Sequence, residues 1–165
     1  MHIPIRNYLQ QLADDHAGDP LGYLWEFAPV HAWWHDVRRQ GTQPIGFLTF
    51  HHLVIQSFGS TFAQGSIPVQ PSAMAPYPAV LDAEAKAVSD LAALAEFSED
   101  IEGWHNGVHN SMGGVTFADP RRNIYLRMFW EFHTFLDAQF KIALEPWLTF
   151  DNYFATVPEA EQRDI

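Results

Sequence analysis

Residues 81–97 read LDAEAKAVSDLAALAEF. Alanine, leucine and long charged side chains dominate, and neither glycine nor proline interrupts them, so the run predicts a helix. Toward the C-terminus, residues 99–112 predict another helix, stopped by Gly113 and Gly114. Asp119 as cap and Pro120 in the first turn then open a helix that runs to Glu145, just before Pro146. Toward the N-terminus, residues 59–78 hold Pro68, Pro71, Pro76 and Pro78 and little periodicity, which predicts a long loop. Pro44 opens a helix over residues 43–58, closed by Gly59 and apolar on nearly all sides, hence central. Asp19 and Pro20 open a stretch that Pro29 restarts or bends and Gly41 ends, and a first helix over residues 4–16 stops at Gly18. No strand-like alternation competes. The expected fold is all-α, a four-helix bundle with a loop-rich cap, in one domain over residues 1–165. The tail 147–165, with Trp147, Phe150, Tyr153 and Phe154, is too aromatic to stay in water and is expected to pack back.

Composition narrows the function. Apolar residues make up 47% and aromatics 15% of the 165 positions, which excludes disorder. Twenty acidic against nine basic residues leave a formal charge of −11, which argues against nucleic acid or an anionic membrane as partner. With no cysteine, thiol catalysis, iron–sulfur clusters and Cys-bound zinc are excluded. No leader and no membrane-length apolar run is visible, so a soluble, cytoplasmic protein is expected.

Nine histidines stand out. His2 and His16 have no partner at useful spacing and read as surface or helix-end residues. The other seven fall on four predicted helices: His31 and His35 in HAWWH, His51 and His52 on the next, His105 and His109 in HNGVH, and His133 on the last. Residues four apart share one helix face, so each HxxxH pair can hold one ion, with a third imidazole from the following helix. The pattern occurs twice, as His31/His35/His51 and His105/His109/His133. His52, about 100° further round than His51, is expected outside the ligand set, bonded to a carboxylate or a carbonyl. All-imidazole ligation suits copper, zinc or nickel, and two neighbouring three-histidine sites favour a dicopper pair. Zinc with three histidines and water fits either site alone. Trp33 and Trp34 read as core packing, as do Trp104, Phe132 and Met112. Arg121 and Arg122 read as solvated first-turn residues.

Three segments carry a resemblance. IEGWHNGVHNSMGG (101–114) resembles the second copper motif of tyrosinases, catechol oxidases and molluscan haemocyanins. FWEFHTFLD (129–137) is similar to that family's third-ligand segment, with His133 in the ligand position. FLTFHHLVIQSF (47–58) resembles the last-ligand helix of the first site, with His51 as ligand and His52 where the family usually has Arg. The resemblance implies two copper ions, O2 as co-substrate, and oxidation of small phenols, catechols or o-aminophenols. It also implies that Asn106, beside His105, and Glu102 orient a water that deprotonates a monophenol, with Glu96 as the fallback acid.

The departures are specific. The family places a first-site ligand in a loop near the position of Thr42, where this chain has no histidine, so His35, or His31 with His35, must substitute. Asp119-Pro120 sits several residues earlier than the family's Asp-Pro, and the thioether cysteine of some relatives is missing. Two other classes stay open: an O2- or copper-binding protein without turnover, and a non-haem di-iron bundle. The latter is hinted at by Glu102-x-x-His105, but it needs a second such motif.

Overall fold

The computed structural model describes residues 4–63, 75–112 and 114–157. Among them lie eight α-helices and no strand: α1 (Ile5–Asp15), α2 (Pro20–Trp33), α3 (Gly46–Phe62), α4 (Ala79–Ala87), α5 (Leu91–Met112), α6 (Gly114–Ala118), α7 (Arg127–Leu144) and α8 (Phe150–Thr156). The all-α expectation holds for these residues. Their buried side chains, from Ile5 to Val157, form one hydrophobic cluster. No helix among them is long and apolar enough to cross a membrane.

Helix α1 ends before Gly18, whose φ of +85° makes the reversal that a side chain would strain. Asp19 caps α2 through the Gly22 amide, and Pro20 occupies the first turn. Pro29 lies inside α2 without ending it. The helix widens instead to a π-helical turn over Trp34–Arg38, then tightens to a 3₁₀ turn that finishes at Gly41. Helix α3 is central as expected, all of its first ten residues being buried, and it packs on α1, α5 and α7. It continues past Gly59 to Phe62, so that glycine does not end it. Most of the 59–78 loop expectation falls on residues 64–74, outside the described residues.

Further boundaries differ from the sequence expectation. The 81–97 run is not one helix: it breaks at residues 88–90, where Val88 turns extended with ψ 127°. Asp90 then accepts the Ala93 amide at 2.8 Å, and α5 runs unbroken from Leu91 to Met112, merging two predicted helices. Serine and aspartate inside a helix-forming run were a start signal that composition concealed. Replacing Asp90 by Ala is expected to cost about 0.5–2 kcal/mol, read as a lower thermal midpoint of the apoprotein. Asp119 and Pro120 do not start the last long helix either. Asp119 Oδ1 accepts the Arg121 amide in a turn, a 3₁₀ turn covers Asn123–Tyr125, and α7 begins at Arg127. Arg121 and Arg122 are therefore turn residues, and Arg122 pairs with Asp119 at 3.2 Å. The aromatic tail packs back through α8: Tyr153 is buried, its hydroxyl bonded to Thr49 of α3. Residues 158–165 lie outside the described residues.

Candidate metal centre

Five elements bring six histidines to one place in the core. His31 comes from α2, His35 from the π-helical turn, His51 from α3, His105 and His109 from α5, and His133 from α7. Adjacent ring centroids lie 4.4–6.2 Å apart, as for His105–His109 (4.4 Å), His31–His35 (4.7 Å), His51–His133 (4.8 Å) and His31–His51 (6.2 Å). Five of the six are buried, and His35 is half-buried beside a cavity. Trp34 is 3% exposed, stacked on Phe50 at 4.0 Å and edge-on to His35 and His51, which is the core packing expected of it. Phe132 stacks on His105 and Trp104 stands edge-on to Phe132, both as packing. Met112 is half-buried, its sulfur 2.7 Å from the Ala75 amide. His16, at the end of α1, faces Glu26 at 3.3 Å; His2 lies outside the described residues.

Five of the six rings are held through Nδ1. His31 Nδ1 donates to Pro120 O (2.7 Å), His51 Nδ1 to Phe47 O (2.9 Å), His109 Nδ1 to Phe117 O (2.7 Å) and His133 Nδ1 to Phe129 O (2.8 Å). His105 Nδ1 donates to Asn106 Oδ1 at 3.0 Å. A carbonyl can only accept, so Nδ1 carries the proton and the neutral ring keeps its lone pair on Nε2. His105 Nε2 and His133 Nε2 are 3.0 Å apart, two acceptors facing each other. His31 Nε2 and His35 Nε2 are 3.2 Å apart, and His51 Nε2 is buried with no hydrogen-bond partner. The His105 and His133 lone pairs, converging without a proton between them, repel, whereas a cation between them binds both. Tetrahedral ligation with bonds of about 2.0–2.1 Å places neighbouring donors roughly 3.3 Å apart, close to these separations. The donor set fits a soft-to-borderline metal ion.

Among the described residues, the trios within ligand reach are His31/His35/His51 and His51/His105/His133, the donor atoms of each lying within 4.8 Å of one another. The first is the set read from spacing. The second substitutes His51 for His109, whose ring still lies 4.4 Å from that of His105 and 5.4 Å from that of His133. His51 therefore stands at the junction of both groups. His52 points elsewhere, its Nδ1 2.6 Å from Asp137 Oδ1.

Burial lowers the pKa of all six rings, and for most of them neighbouring imidazoles add to the shift. His31 and His109 fall to about 4, and the other four sit well below the ordinary imidazole value. The cluster is thus neutral at pH 7 and ready to ligate without releasing protons.

A cavity of about 270 Å³ opens onto the cluster, lined by His35, His105 and His109 together with Arg39, Glu102 and Asn106. The two residues expected to share a water are engaged otherwise. Arg39 Nε lies 2.9 Å from Glu102 Oε1, and its Nη2 holds Oε2 in a fork. Asn106 holds His105. Sequence reasoning missed Arg39, treating its stretch only as a helix end. The signal was present, because Arg39 continues the four-residue spacing of His31 and His35. The acceptor carbonyls of Pro120 and Phe117 had no signal, since any residue supplies one. No family model matches the chain, and neither the curated proteins nor the solved structures contain a match to it.

Proposed function

We propose that this protein is a copper oxidase of the type 3 dicopper kind, using O2 to oxidise small catechols, o-aminophenols or phenols to quinone-type products. In this reading α2 with its π-helical extension, α3, α5 and α7 form a four-helix bundle around a dinuclear site. The observation that carries it is the convergence of unprotonated Nε2 atoms, 3.0 Å apart between His105 and His133, beside a cavity. His31, His35 and His51 are the proposed ligands of one copper, and His105, His109 and His133 of the other, with His51 close enough to serve both. Copper supplies the activation of O2 when bound. The chain's own part is to hold the ions at a set separation, to exclude bulk water, and to admit one ring through a cavity at the small end for ligand sites.

The engagement of Glu102 with Arg39 favours o-diphenol oxidation over monophenol hydroxylation. Both Glu102 oxygens already accept from Arg39, and Asn106 Oδ1 already accepts from His105, so the two side chains are committed to other partners rather than to one shared water. Iron is disfavoured because neither ligand trio includes a carboxylate.

Copper quantification on protein loaded and then dialysed tests the reading, together with catechol consumption in air. Two copper per chain and quinone formation are expected. Two copper without quinone would leave an O2- or copper-binding protein, and two iron with no copper would overturn the assignment. Replacing Asn106 by Ala is expected to weaken copper retention and to depress catechol and monophenol rates alike, because the residue acts through His105. A loss confined to monophenols would return Asn106 to the water-orienting role.

A further inference from the structure

His51 and His52 are consecutive on α3, and their rings diverge by about the 100° that separates neighbouring helix positions. His51 joins the histidine cluster. His52 crosses to α7, where Asp137 lies one turn beyond His133. We propose that His52 and Asp137 are a positioning pair that sets the separation of His51 and His133 for metal uptake; the inference rests on the metal-binding reading of the cluster.

The two rings at the α3–α7 seam are each fixed with respect to their own helix, His51 on Phe47 O and His133 on Phe129 O. Those bonds set ring rotation and say nothing about the distance between α3 and α7. Among the described residues, the side-chain hydrogen bonds joining the two helices all end on Asp137. His52 Nδ1 donates to Oδ1 at 2.6 Å and Gln56 Nε2 to Oδ2 at 3.4 Å. Lys141 Nζ completes the carboxylate from its own helix at 2.8 Å. His52 and Asp137 are 6% and 4% exposed, and Phe150 of α8 stacks flat on the His52 ring at 4.1 Å.

Apolar packing between helices tolerates small slides, because it has no preferred direction. A buried carboxylate does not: moved off its donors, it would sit desolvated and unpaired. The link therefore fixes the register of α3 on α7 one turn away from where His51 and His133 approach to 4.8 Å between ring centroids. Metal ligation needs donors placed to within about 0.2 Å, a tolerance that a directional link supplies and a greasy seam does not.

The test uses the full chain, metal-free, titrated with Cu(II) against a chromophoric chelator. His52→Phe keeps the stack on Phe150 and removes the donor. His52→Arg restores a planar donor that can both reach Asp137 and stack. Tyr153→Phe breaks a different tie of α3, the bond to Thr49, and serves as the comparison. His52→Phe is expected to weaken at least one Cu(II) by about 10–100-fold, with the helical circular dichroism unchanged. His52→Arg should recover most of that loss, and Tyr153→Phe should lower the thermal midpoint without lowering affinity. In the metal-free protein, the nuclear Overhauser contact between the His51 and His133 rings should weaken in His52→Phe. Wild-type affinity in His52→Phe, an equal loss in His52→Arg, or an equal loss in Tyr153→Phe would each overturn the pair's role while leaving metal binding intact. A wild-type chain that takes up no Cu(II) would overturn the metal reading and this inference with it.

Discussion

Metal-free protein acidified from pH 7 is expected to lose its fold between about pH 6.5 and pH 4, well above the range in which carboxylate protonation alone unfolds most domains. Six imidazoles are held neutral by burial, with His31 and His109 at about 4. In the unfolded chain they titrate near the ordinary value of about 6.5. Above that pH both states are neutral and no penalty arises. Between about 6.5 and 4 the unfolded chain binds protons that the folded chain refuses, so stability falls as pH falls. Below about 4 the penalty of these two groups is complete, at about 3 kcal/mol each. The other four rings, also lowered by burial, add to the loss in the same direction. Typical domains hold only about 5–15 kcal/mol in total, so the cluster is the acid-labile point of the fold. Circular dichroism against pH checks this, and an intact helical signal at pH 4 would refute it. Bound copper or zinc should move the transition to lower pH, because the ion competes with protons for the same Nε2 atoms.

Replacing His51 is expected to be the most damaging single histidine change for metal content. Its Nε2 is buried without a partner and belongs to both trios within ligand reach. His51→Leu keeps an apolar volume among Phe47, Phe50 and Trp34. It should remove one ion and weaken the other by about tenfold or more, the usual scale for disturbing a ligand's surroundings. His105→Ala or His133→Ala should remove one ion and leave the other. His109→Ala should have the mildest effect in that half, because its donor lies outside the mutually close trio. Metal analysis after dialysis, with the helical signal as a folding control, decides the ranking. Two tightly held ions in His51→Leu would dissolve the idea that this residue joins the two groups.

Much of this architecture was legible residue by residue. Two HxxxH pairs announce a shared helix face because a turn repeats every 3.6 residues, a property of the local backbone that needs no tertiary partner. The all-α class follows in the same way from the alanine- and leucine-rich runs and their punctuation, and the centrality of α3 from its lack of a polar side. His52 was separable from His51 by the angle between consecutive positions, although its partner was not nameable. The break at residues 88–90 was legible only in retrospect, since Asp90 acts as a cap through a single hydrogen bond that helix propensity outweighs in any composition-based reading.

What crosses between elements was decided by the tertiary structure. That His51 sits near His133 and that Arg39 takes Glu102 as its partner both depend on how separate elements pack. The Nδ1 protons are placed by the carbonyls of Pro120, Phe117, Phe47 and Phe129. Every residue carries such a group, so side-chain identity cannot encode it. The sequence by itself therefore determined which imidazoles could meet. Only the packed fold decided how they meet, because the distances between rings are set by contacts between helices, and the tautomers of His31 and His109 by carbonyls of other elements.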